Sequence, residues 1–326
     1  MLFNKKQGGS EERVQAASFF FKSVLLVTVV VIIMQLIRKS VPESSLNKKS
    51  WMAASLDKES RLKNITSPKI VFIGGSNLAF GLDSRKIETA IGMPVVNMGL
   101  HAGMGFQFML EESKADIHAG DIVILSFEYQ LKEIAGGGLC ANLIAVNPAA
   151  APYCLNSTKQ YVSFFAADFQ RGLAYWFNRY FGSPVTIEDI RDNVTEEGDF
   201  TFHLKRAHVP KLMGSEKWNS EDCTRIILKI NEFVAYVAGR KATVYFSFPA
   251  LALSQYNLNQ EVVKAIAARY EKELNCKTLN RAQGLILNDS LFYNSVYHLN
   301  GAGRQIRTDT IIRALQHREI HGCGGW

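Results

Sequence analysis

From Ser18 to Ile37 the chain carries 20 residues of nearly continuous apolar character, interrupted by a single charge, Lys22, near one end. A helix of that length spans about 30 Å, the thickness of a bilayer's hydrocarbon core. Lys22 can reach the headgroups through its flexible stem. A cleaved leader has a shorter apolar core and a small-residue cleavage site. The residues after Ile37 are Arg38-Lys39-Ser40-Val41-Pro42-Glu43 and offer no such site. The pattern therefore predicts an uncleaved single-pass anchor over 18–37, a leading tail over 1–17 and a polar stalk with a short helix over 38–68.

From Lys69 onward, short β-branched runs alternate with amphipathic stretches. Strands are predicted at Lys69–Ile73, Val95–Met98, Asp121–Phe127, Thr243–Phe248 and Leu285–Leu287. Helices are predicted at Asp83–Ile91, Gly105–Lys114, Ser220–Arg240, Gln260–Asn275 and Gly301–Leu315. Asp83 is placed to cap the first of these, and Glu221 and Asp222 fall in the first turn of the third. The near-continuous apolar character of the third strand is that of a strand covered on both faces. This alternation predicts an α/β fold, a flavodoxin-like parallel sheet of about five strands with helices on both faces. The candidate site then lies at the carboxyl ends of the strands. An insertion over about 131–214 breaks the rhythm. It holds three successive glycines from Gly136 and an aromatic run from Tyr161 to Phe181. Such a segment can form a lid, pack as ordinary core or rest at a membrane surface.

Composition narrows the function classes. With 47% hydrophobic and 21% charged residues, the chain has enough apolar material for a folded core and is not a disordered one. The net charge of +7 gathers near the anchor and near the C-terminus, at Arg304, Arg307, Arg313 and Arg318. That distribution suits anionic lipid or an acidic polymer. No zinc-finger spacing and no dense basic tract interleaved with aromatics points to nucleic acid. Five cysteines include no C-x-x-C pair, and the seven histidines show no ligand spacing, so no metal or other cofactor is expected. Cys140 and Cys154 flank a Gly/Ala/Pro-rich loop and suit either a disulfide or two buried thiols. Cys323 lies in a tail expected to fray.

Two segments carry candidate chemistry. In Val71-Phe72-Ile73-Gly74-Gly75-Ser76-Asn77, a buried strand runs into a glycine turn and sets the Ser76 hydroxyl at the carboxyl end of the first strand. Such a serine attacks a carbonyl if a base takes its proton and N–H groups hold the oxyanion. In Asn294-Ser295-Val296-Tyr297-His298-Leu299-Asn300, His298 stands just before the last helix. A neutral imidazole there can serve as the base. Taken singly, a strand-to-helix turn and a capping or core histidine would account for each segment.

Together these residues resemble the SGNH (GDSL-type) hydrolase superfamily over roughly Lys69 to Leu315, with specific likeness in four short blocks. The resemblance implies that Ser76 is the nucleophile and His298 its base, and that the N–H groups of Ser76 and Gly103, or of Gly99, form the oxyanion hole. The third block normally supplies an oxyanion-hole asparagine, and Glu128 stands in its place. The last block normally reads Asp-x-x-His, and Ser295 stands where the aspartate would be, beside Asn294. Asn77, Glu128, Asn294, Ser295 and Asp289 are thus the candidate site wall or partners of His298.

The anchor, the altered third block and the His-Leu block make the whole similar to membrane-tethered proteins of cell-envelope polymer modification. That likeness implies an acyltransferase or esterase acting on an envelope or extracellular polysaccharide, with an acyl donor and a multi-pass membrane acyltransferase as further partners. It also implies an inner-membrane protein whose domain faces the extracytoplasmic side, with residues 1–17 in the cytoplasm. The charges flanking the span fall on both sides and do not set this orientation. The missing aspartate and Glu128 suit the other reading, a non-catalytic binding or assembly protein on the same fold.

Overall fold

The computed structural model of the chain describes residues 8–42, 48–66, 68–182, 190–206, 209–219 and 222–317. The anchor lies within helix α1 (Gly8–Lys39), whose stretch Glu12–Lys39 is long and apolar enough to cross a membrane. Its most apolar window is not buried against the rest of the protein. After α2 (Ala54–Asn64) come β1 (Ile70–Gly74), α3 (Ser76–Gly81), α4 (Ser84–Ile91), β2 (Val95–Asn97), α5 (Gly105–Ser113) and β3 (Ile122–Ser126). The insertion supplies α6 (Gly137–Val146), α7 (Ala151–Cys154) and α8 (Thr158–Phe181). The chain then continues through α9 (Thr224–Gly239), β4 (Thr243–Phe246), β5 (Leu251–Ala252), α10 (Leu253–Leu258) and α11 (Gln260–Glu273). It closes with β6 (Lys277–Thr278), β7 (Ile286–Leu287) and α12 (Gly301–His317).

Strands β2, β1, β3, β4 and β6, in that spatial order, form one parallel sheet. Side chains alternate across it. Val71 and Ile73 of β1 face the larger core with residues of α5, α9 and α11. Ile70 and Phe72 face the smaller core with Ile87 of α4 and Ile311 and Ile312 of α12. Helices therefore cover both faces, as the apolar strands require. Asp83 caps α4, its carboxylate accepting from Lys86 N at 3.2 Å, and Gly92 ends the helix at φ 75°.

Several expectations need correcting. The fifth strand of the sheet is Lys277–Thr278 on the edge beside β4, whereas Ile286–Leu287 pairs with Leu251–Ala252 in a separate two-stranded parallel ladder. The third long helix begins at Thr224, where Asp222 accepts from Thr224 N at 2.9 Å, while Glu221 lies outside the described residues. Most of the stalk from Trp51 onward is part of the domain. Ala53, Ala54 and Leu62 are buried in the larger core. Lys58 is buried too and donates to the carbonyls of Asn97, at 2.8 Å, and Gly198. Desolvation pulls the Lys58 ammonium down to about 8. Arg304 and Arg307, counted above as surface charge, are buried inside α12 contacts, and Arg318 lies outside the described residues. Cys140 and Cys154 are free buried thiols, with Cys140 Sγ donating to the Cys154 carbonyl at 3.7 Å, and Cys323 lies outside the described residues.

Candidate active site

The first strand ends against its neighbour so closely that only glycine fits. A Cβ on Gly74 would collide with the Ser126 carbonyl of β3. One on Gly75 would collide with the carboxyl of Glu128. Ser76 follows as the first residue of α3, 8% exposed. Its amide stands at a helix start, where no intrahelical acceptor exists.

The loop before α12 brings His298 to this serine. Phe292 and Leu299 bridge antiparallel, and Tyr293 N donates to the His298 carbonyl at 2.8 Å. The tight loop between them sets Asn294 opposite His298. The result is a short chain of contacts: Ser76 Oγ lies 2.9 Å from His298 Nε2, and His298 Nδ1 lies 2.8 Å from Asn294 Oδ1. An amide oxygen only accepts, so Nδ1 carries the proton and Nε2 presents its lone pair to the Ser76 hydroxyl. Phe80, four residues after Ser76 on the same face of α3, stacks under the imidazole at 4.0 Å between centroids and 7° between planes. Burial, chiefly, with His203 and His101 nearby, holds His298 down to about 3. With an amide rather than a carboxylate behind it, the ring stays neutral across the physiological range.

The glycines expected in the oxyanion hole are engaged elsewhere. Gly103 N–H donates to His101 Nδ1 at 2.9 Å, and Gly99 N–H donates to Asn97 Oδ1 at 2.9 Å. Asn77 N–H donates to Glu128 Oε1 at 3.0 Å. Ser76 N–H, by contrast, is a backbone donor at the turn for which no acceptor is seen among the described residues. Glu128 lies along the Gly75–Asn77 backbone, and its other oxygen, Oε2, makes no hydrogen bond among the described residues. Burial pushes its carboxyl above the usual range, against the opposing pull of the Asn77 amide.

The remaining candidates play supporting parts or none. Ser295 Oγ accepts from Tyr297 N at 3.4 Å, and Asp289 accepts from Ser254 N at 3.0 Å, so neither holds the imidazole. Asn77 is fully buried, with Nδ2 donating to the Ser126 carbonyl at 3.1 Å. Arg307 of α12 clamps it, donating to Asn77 O at 2.7 Å and to Asn77 Oδ1 and Ser126 Oγ at 2.8 Å. Asp199 ties the opposite side together. It accepts from Ser84 N and Ser84 Oγ, both at 2.7 Å, from Asn97 Nδ2 at 2.7 Å and from Arg304 at 3.1 Å. Phe80, Arg307, Asp199 and His101 were not among the expected site residues. Of these, only Phe80 had a usable signal, an aromatic one helical turn after the serine.

A cavity of about 450 Å³ adjoins the Gly103 loop. Its walls include Gln130, Lys132 and Leu139, together with Lys159 and Ser163 of α8. The Gln130 Nε2 group is buried there without a partner. Among the described residues, no cluster of histidine, cysteine and carboxylate side chains is arranged to hold a metal. No model of a known protein family matches the chain, and comparison with curated proteins finds no match.

Proposed function

We propose that the chain is a membrane-tethered, SGNH-like acyltransferase or esterase acting on a cell-envelope or extracellular polysaccharide. The observation that carries this reading is the 2.9 Å approach of Ser76 Oγ to His298 Nε2, with Nδ1 fixed by Asn294. Ser76 Oγ attacks the acyl carbonyl and its proton passes to Nε2. The tetrahedral intermediate then expels the leaving alkoxide, which takes that proton and departs as an alcohol. In the second half, a sugar hydroxyl or water gives its proton to Nε2, attacks the acyl-serine and releases Ser76. The cavity beside Gly103 offers room for an acyl donor or acceptor, and its lysines suit an anionic one. A multi-pass membrane acyltransferase is the kind of partner that would hand on such a donor.

A second reading rests on a specific observation. Glu128 and the engaged amides of Asn77, Gly99 and Gly103 leave the oxyanion poorly served, as in a binding or assembly protein that keeps a disused cleft. Turnover of p-nitrophenyl acetate by the full chain in detergent separates the two. Ser76→Ala is expected to reduce it to background, a loss of about 10³-fold or more. Equal rates in both proteins would leave the binding reading standing. The proposed extracytoplasmic placement predicts an active alkaline phosphatase fusion after Leu315. An inactive fusion there, with a cytoplasmic reporter active at the same point, would rule out an envelope substrate.

A further inference from the structure

Helix α8 packs a mixed face on the rest of the protein and leaves an apolar face open. Gln160, Phe164, Asp168 and Gly172, spaced by four, are buried against the domain and the end of α1. Val162, Phe165, Phe169, Leu173, Phe177 and Tyr180, spaced by three or four, form a second stripe about a quarter-turn away. Phe165 is 38% exposed, Val162 and Phe177 are 64% exposed and Tyr180 is 73% exposed. The stripe runs about 27 Å along the helix. An apolar stripe of that length, with Phe169 half-buried at its middle, is unusual on a protein face bathed only in water.

What lies against it follows from where α8 is fastened. It crosses the last turn of the anchor helix. A side chain on Gly172 would press on Ile37, Trp176 Nε1 donates to Ser40 Oγ at 2.8 Å, and Arg38 pairs with Asp168 at 2.9 Å. Asp168 also pairs with Arg171 and is the only acidic residue in α8, set against Lys159, Arg171 and Arg179. The crossing point is the level at which the span ends, where headgroups begin. Helices with aromatic and aliphatic residues on one side and basic residues beside them lie in that layer.

We propose that α8 lies flat in the headgroup region of the bilayer that holds α1, its Val162–Tyr180 stripe buried at the boundary with the acyl chains. This inference rests on the membrane-anchor reading of α1. It gives the domain a fixed height and tilt over the membrane, which one flexible tether would not. Because α8 also walls the cavity beside the Gly103 loop, that cavity is held at the membrane surface, within reach of an acyl donor carried on a lipid or passed from a membrane protein.

The test uses the full chain reconstituted into vesicles containing anionic lipid. Flotation with the vesicles after alkaline washing reports the anchor by itself. Val162→Trp and Tyr180→Trp then place fluorophores at the two ends of the exposed stripe, the second keeping an aromatic ring beside Trp176, on which Tyr180 stacks. The emission added by each tryptophan is measured with lipids brominated high on the acyl chain and with lipids brominated near the chain end. Both added signals are expected to lose about half their intensity to the shallow bromines and much less to the deep ones. Quenching of only one end, or of neither, in protein that floats would overturn the proposal and assign the stripe to a protein partner or a second copy. Failure to float would remove the anchor reading instead.

Discussion

Replacing Asn294 by aspartate is expected to speed acylation of Ser76 by about 10²- to 10⁴-fold near neutral pH, the range spanned when a serine–histidine pair gains or loses its carboxylate. The amide already sits 2.8 Å from Nδ1 and fixes the tautomer, so geometry is not what the native site lacks. What it lacks is a charge to stabilise the imidazolium formed as the hydroxyl loses its proton. His298 at about 3 is a weak base, and proton transfer to it is uphill. Asn294→Asp puts an anion in the same place and lifts the imidazole toward its ordinary value. The pH profile separates this from a trivial gain. The native rate should show no loss on the acid side between neutrality and about pH 4, because the base stays neutral there. The variant should lose activity as pH falls through the raised histidine value, because protonation removes its lone pair. A variant no faster than the native chain, with an unchanged profile, would mean that the Asn294 contact does not bear on the chemistry.

The second large effect is expected at Glu128. Its carboxyl lies along the Gly75–Asn77 backbone that carries Ser76, accepts the Asn77 amide and is pushed upward by burial. Below its raised value the carboxyl is neutral and tolerates a developing oxyanion. Above that value it is an anion beside another anion. The native rate should therefore fall as pH rises through the Glu128 ionisation. Glu128→Gln keeps an oxygen to accept from Asn77 and cannot ionise, so it should remove this alkaline loss. Its advantage should grow with pH to about 10- to 10²-fold at the alkaline end, the order found for one oxyanion contact. A constant ratio of the two rates at every pH would show that Glu128 does not face the oxyanion.

Physical scale decides which of these features the residues alone reveal. Strands β1, β3 and β4 carry four consecutive apolar, β-branched or aromatic residues, and even the three-residue β2 opens on Val95-Val96, so their pattern shows in the sequence. Lys277–Thr278 is a two-residue polar edge strand with no period to detect, whereas the more apolar Leu285–Leu287 carries a strand signal although its strand pairs outside the main sheet. Ser76 and His298 were legible because each stands beside a recognisable turn. Asn294 was harder to assign, since the aspartate normally stands three residues before the histidine and the loop here brings the fourth into contact. The engaged amide of Gly103 depends on how the His101 ring turns, which no spacing reveals. Arg304 and Arg307 read as surface charge, and Lys58 as part of a polar stalk, because composition cannot show a guanidinium or ammonium folded inward onto carbonyls. The aromatic run of α8 was visible as composition, but its division into a packed face and an open one needed the coordinates.

In the proposed function, Ser76 is a nucleophile whose proton His298 removes. Treatment of the full chain with a fluorophosphonate, followed by peptide mass mapping, tests this at the reacting atom. The expected result is one adduct, on Ser76, forming about 10²-fold or more slowly in His298→Ala. Absence of that adduct in both the native chain and Asn294→Asp, or a labelling rate indifferent to His298, would contradict it.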